Sequence, residues 1–200
     1  MGKTKEIVID FRRGPPLHPP LTINGAPVFR VNSSKFLGVH ISEDLSWVTN
    51  TTSLAKKAQS RLYFLRKLRK ARVPPPIMCF FYQGTIESIL TSCITVWYGG
   101  CNASFPKTLQ RIVNAASKII GVSLPSLVDI FHTRLTSRAI SIAADASHPS
   151  NLHFSLLPSG RRYRSLQARS TRLSNSFIHQ AVRMLNSAHY LPPHPPTSEL

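Results

Sequence analysis

The chain has 200 residues, 42% of them hydrophobic, which suffices for one domain or two small ones with a buried core and excludes a tail disordered by composition. Twenty-five Lys and Arg against eight Asp and Glu give a formal charge of +17 and a pI near 10.8. That excess points to a polyanionic partner, nucleic acid first and an anionic membrane surface second.

Residues 5–12, KEIVIDFR, combine β-branched residues with an alternation that sets Ile7 and Ile9 against Val8 and Asp10, and predict a strand. GPPLHPP at 14–20 predicts a stiff connector, because each Pro fixes φ and removes a donor. Asn24-Gly25 predicts a tight turn between Leu21–Ile23 and Pro27–Val31. A further strand at 35–41 then completes a small antiparallel sheet, and Asp44 to Trp47 turns the chain toward a helix.

From Asn50 or Thr51 as N-cap, a helix carries Leu54, Ala58, Leu62, Leu65 and Leu68 on one face and ends before Pro74-Pro75-Pro76. A second, about 77–95, has Phe80, Phe81, Ile86, Ile89, Leu90 and Ile94 as its expected core. Gln83, Gly84 and Glu87 interrupt this apolar stretch, so it reads as a core helix and not as a membrane span. Further helices are expected at 106–120, at about 125–144, and at 176–187 with Asn175 as cap. The tail LPPHPPTSEL, within 189–200, reads as disordered. The fold class is therefore α+β, mostly α: a small antiparallel sheet remnant followed by a helical bundle.

The acids are Glu6, Asp10, Glu43, Asp44, Glu87, Asp129, Asp145 and Glu199, and one adjacent pair, Glu43-Asp44, is too thin a supply for a two-metal site. That pair suits a turn or a helix start. No two histidines have H-x-x-x-H spacing, and neither a G-x-S-x-G elbow nor a glycine-rich phosphate loop is present. The expectation is no catalytic residue, metal, cofactor or small-molecule substrate. Three cysteines without a C-x-x-C pair indicate neither a disulfide framework nor a standard zinc module. With no secretory leader in MGKTKEIVIDF, an intracellular setting, nuclear or cytoplasmic, is expected.

What remains is cationic. Lys56, Lys57, Arg61, Arg66, Lys67, Arg69, Lys70 and Arg72 occur without an intervening acid, and lying opposite the apolar stripe they are expected to project together toward a phosphate backbone. In LPSGRRYRS at 157–165, Arg161, Arg162 and Arg164 flank Tyr163, a combination suited to phosphate contact and base stacking. The same residues equally allow Tyr163 to pack on the core while the arginines stay solvated. The expected partner is RNA or DNA, bound without regard to sequence and with no membrane involved.

The segments KTKEIVIDFRR, KFLGVHISEDLSWVTNT, LAKKAQSRLYFLRKLRK, IESILTSCITVWYG, LQRIVNAASKIIG and LPSGRRYRS resemble, in order, the C-terminal part of reverse transcriptases of LINE-type non-LTR retrotransposons. The resemblance implies a palm-end β segment at 1–47 and a basic thumb-like helical domain at 48–147. A basic loop and C-terminal helix would follow at 148–188. Lys3 would lie near the incoming nucleotide, and Lys35, Phe36, Leu37 and Gly38 would form a primer-grip-like hairpin. The family's metal-binding aspartates lie in blocks upstream of KTKE, so the implied protein is catalytically incomplete and binds RNA–DNA hybrid or duplex. The stretch around LAKKAQSRLYFLRKLRK also resembles the N-terminal domain of alkylated DNA repair protein AlkB homologue eight. That likeness implies a module accessory to 2-oxoglutarate-dependent dioxygenase and methyltransferase chemistry on nucleic acid, and it covers neither enzyme domain.

Overall fold

The computed structural model describes residues 4–12, 14 and 18–187; Lys3, much of the 14–20 connector and the 189–200 tail lie outside them. The described chain is α+β and mostly helical, in two compact units. One comprises Met1–Cys93 with Cys101–Leu124, the other Ile94–Gly100 with Pro125–Leu200. The division thus falls near 93 and 124, where the expected segments were bounded at 47 and 147.

The first unit opens with short ladders and not with one antiparallel sheet. β1 (Lys5–Glu6) pairs in parallel with β4 (Phe29–Arg30), and β2 (Thr22–Ile23) pairs with β3 (Ala26–Pro27) across the expected Asn24-Gly25 turn. The strand expected at 5–12 stops after two residues. Beyond it, Arg12 and His18 hold the Asp10 carboxylate, and these hydrogen bonds lower its pKa. The single strand expected at 35–41 is a hairpin of β5 (Ser33–Phe36) and β6 (Val39–Ser42). Its two-residue turn needs positive φ at both positions, 46° at Leu37 and 88° at Gly38, so glycine relieves only the second.

Helix α1 (Val48–Lys70) begins earlier than its expected caps. Trp47 stands at the N-cap with φ 62°, and no side chain caps the helix. Asn50 is instead buried inside the first turn, where its Oδ1 accepts the His40 N–H at 3.1 Å and ties α1 to β6. The C-terminus closes without glycine. Arg72 takes φ 59°, its N–H reaching the Arg69 carbonyl at 3.0 Å and that of Val73 the Leu68 carbonyl at 3.1 Å, which together form a Schellman motif.

The expected second helix is broken into α2 (Pro75–Tyr82), a π segment (Gln83–Glu87), α3 (Ser88–Leu90) and, after the turn at Cys93 with φ 48°, α4 (Ile94–Trp97). By length and apolarity the run Pro75–Trp97 would suffice to cross a membrane. It buries Met78, Tyr82, Ile86 and Leu90 in the first unit, and Ile94 and Trp97 in the second. Phe80, expected in the core, is 73% exposed, because the helix is in contact on its Met78–Tyr82–Ile86 side. α5 (Ser104–Ile120) lays Leu109, Ile112, Val113, Ala116 and Ile120 into the same core as Leu54, Ala58, Leu62 and Leu65 of α1.

In the second unit α6 (Leu127–Ala144) starts at a Ser126 cap, whose Oγ accepts the Asp129 N–H at 3.2 Å. It packs on α8 (Phe177–Ser187) through Leu127, Phe131, Leu135 and Ala139 against Ala181, Val182 and Leu185. The short α7 (Thr171–Ser174) precedes α8, and Asn175 ends α7. Gly99 is demanded by close approach: a Cβ there would lie 2.1 Å from Gln180 Nε2 and 2.9 Å from the Asn175 carbonyl oxygen.

Candidate nucleic-acid interface

The physical basis of the candidate surface is the period of α1. At about 3.6 residues per turn, Leu54, Ala58, Leu62 and Leu65 share the buried side. Lys56, Ser60, Tyr63, Lys67 and Lys70 form a straight outer row, with Lys57, Arg61 and Phe64 alongside. All eight of these are exposed. From Lys56 to Lys70 the outer row rises through fourteen residue steps, roughly 21 Å at about 1.5 Å per residue.

The eight expected cations do not all project together. Arg66 lies on the far flank, and Arg69 follows the line of the buried stripe and reaches solvent only because the helix ends there. Arg72 sits beyond the helix in the capping turn. Among the described residues none of the α1 cations is ion-paired to a carboxylate, whereas Arg12 and Arg30 are held by Asp10 and Glu6. Three basic residues in the last turn, Lys67, Arg69 and Lys70, also face the negative end of the helix dipole.

Two features of this face were not singled out from the sequence. Tyr63 and Phe64 stand in solvent, and Lys67 Nζ lies 5.2 Å from the Tyr63 ring centroid while the Arg61 guanidinium lies 6.0 Å from that of Phe64. Their i+7 spacing, Tyr63 from Lys56 and Phe64 from Lys57, was a readable signal. On α5, Lys107, Arg111 and Lys118 are exposed at intervals of four and seven, again one face.

The loop at 157–164 presents its arginines but not its aromatic ring. Tyr163 is 3% exposed and meets Phe154 edge-on at 6.2 Å, so the base-stacking role expected of it falls away. Asn186 clamps the Tyr163 backbone from α8, its Oδ1 accepting the N–H at 2.8 Å and its Nδ2 donating to the carbonyl at 3.1 Å. Nothing in the sequence distinguishes Asn186. Arg161, Arg162 and Arg164 are exposed around this anchor.

At the hairpin tip Lys35, Phe36, Leu37 and Gly38 are all exposed, Leu37 at 82%. Behind it, Asp44 accepts Ser42 Oγ at 2.5 Å and the Ser46 N–H at 3.1 Å, which lowers its pKa and fixes the expected turn. Thr4, Lys5, Ile23, Ala26, Pro27, Val28 and Phe29 line an open hollow of about 340 Å³ beside the first ladders. Among the described residues no three His, Cys, Asp or Glu side chains gather where they could hold a metal ion.

A basic, outward-facing helix on a mostly helical α+β scaffold defines the class of surface. Residues 47–88, which contain all of α1 and α2, match the model of the family described as alkylated DNA repair protein alkB homolog 8, N-terminal. No curated protein and no solved structure matches the chain, so the likeness to reverse transcriptases draws no support from them.

Proposed function

We propose that the chain is a non-catalytic nucleic-acid-binding module in which α1 grips a phosphate backbone without reading base sequence. The observation that carries this reading is the row Lys56, Lys67 and Lys70, exposed and without carboxylate partners among the described residues. Lysines arranged in this way gain by exchanging counterions for phosphates, and they carry no geometry for telling one base from another. The matched family is named for repair of alkylated DNA, and the match covers the basic helix itself. On that likeness the module is an accessory that holds nucleic acid for dioxygenase or methyltransferase chemistry carried by other segments. The test is fluorescence anisotropy of labelled duplex DNA with the full chain. Binding should be present at about 50 mM salt, fall steeply by about 200 mM, and not depend on sequence; no binding at the lower salt would overturn the proposal.

A second reading, the palm end and thumb of a reverse transcriptase, is favoured by the exposed hairpin tip at 35–38 and by the exposed apolar side chains Ile9, Leu21 and Phe29 in and beside the first ladders. Strands left in this state suit a sheet that other segments complete. On this reading the chain prefers an RNA–DNA hybrid to DNA duplex of the same sequence. Equal affinity for the two removes it and leaves the first reading standing.

A further inference from the structure

We infer that the outer face of α1 holds an unpaired nucleic-acid strand, with Tyr63 and Phe64 as the surface on which its bases stack. This rests on the reading of α1 as a phosphate-gripping helix and narrows its partner from nucleic acid in general to a single strand.

Tyr63 is 54% exposed and Phe64 47%, while their neighbours Leu62 and Leu65 supply the core contact of this turn. A lone exposed aromatic residue needs no explanation. Here two adjacent rings stand at the middle of the basic rows, with Lys56 and Lys70 each seven residues from Tyr63, about 10 Å along the helix. Cations are therefore placed on both sides of the rings, where the phosphates flanking a stacked nucleotide would lie.

The geometry of the pair separates a single strand from a duplex. Bases in a duplex stack on one another and offer no free face to a helix lying along the backbone, whereas every unpaired base offers one. The two rings meet at 5.5 Å between centroids with planes 80° apart, so they present two separate faces and no flat shelf. Bases turned apart along a flexible strand fit that arrangement, and the parallel stack of a duplex does not. Lys67 Nζ stands over the Tyr63 ring and the Arg61 guanidinium over that of Phe64, so a stacking base takes the opposite face or displaces the cation, whose charge is then free for the phosphate.

The experiment uses the full chain and a single-stranded DNA of about 15 nucleotides carrying 2-aminopurine, alone and within a duplex. The variant Tyr63→Leu with Phe64→Leu keeps good helix formers at exposed positions. It should lose about tenfold or more of single-strand affinity, keep duplex affinity within about twofold, and abolish the fluorescence quenching that stacking produces in the parent protein. The exchange Tyr63→Phe with Phe64→Tyr keeps both rings and should bind and quench like the parent, which provides a second readout should the leucine variant fail to fold. Equal losses on both substrates, no loss on either, or no quenching by the parent protein would each overturn the inference. Neutralising Lys56, Lys67 and Lys70 must weaken both substrates if α1 is the grip. Failure of the stacking idea is thus distinguishable from failure of the reading beneath it.

Discussion

Replacing Lys56, Lys67 and Lys70 together by Gln tests the phosphate grip at its most specific point. The three are exposed, share the outer row of α1 and have no carboxylate partner among the described residues, and Gln stands close to Lys in helix propensity, so the helix should persist. If each lysine neutralises one phosphate of duplex DNA, the slope of log K against log salt becomes shallower by about 0.9 per residue, about 2.7 for the three. Over a fourfold rise in salt the parent protein should then lose about 40-fold more affinity than the variant. Anisotropy titrations at four or more salt concentrations measure both slopes, with circular dichroism confirming equal helicity. An unchanged slope would refute the reasoning. So would an equal change when Lys107, Arg111 and Lys118 of α5 are neutralised instead, because the effect would then belong to overall charge and not to the row.

Other consequences are structural. Gly99→Ala drives a methyl group into Gln180 and the Asn175 carbonyl and should lower stability by about 1–3 kcal/mol in thermal melts; adding Gln180→Ala should recover part of that loss. Leu65→Ala empties a fully buried site between α1 and α5 and should cost about 2–5 kcal/mol by urea unfolding. Burial pushes the Cys101 thiol up to about 11, so at pH 8 it stays protonated and should alkylate slowly, while the exposed Cys93 reacts first in a mass-spectrometric time course.

Much of the helical half was legible because periodicity reports burial directly. The buried stripe of α1 is the expected one except for Leu68, which is half-buried, and α5 covers the expected span to Ile120, closed by Gly121 with φ 87°. The π segment within 75–97 was not legible, since an apolar run has the same composition whether its hydrogen bonds close after four residues or five. The end of α1 gave no glycine signal because Arg72 takes the left-handed position itself. Of the candidate site, the cations were readable as a set, but their division between the outer row and the flanks required counting around the helix. The exposed aromatic pair was passed over because apolar residues in a helix are read as core.

The sequence by itself determined the charge, the mostly helical class and the segment that bears the cations, all of which depend on composition and local period. Only the tertiary structure decided which side chains are available. Tyr163 lies in the core because Asn186, distant in the chain, holds its backbone, and Tyr63 lies in solvent because α5 packs on the other side of α1. Local pattern allows an aromatic ring to face either way. The packing partner settles the direction, and that partner is a long-range contact that no short stretch encodes.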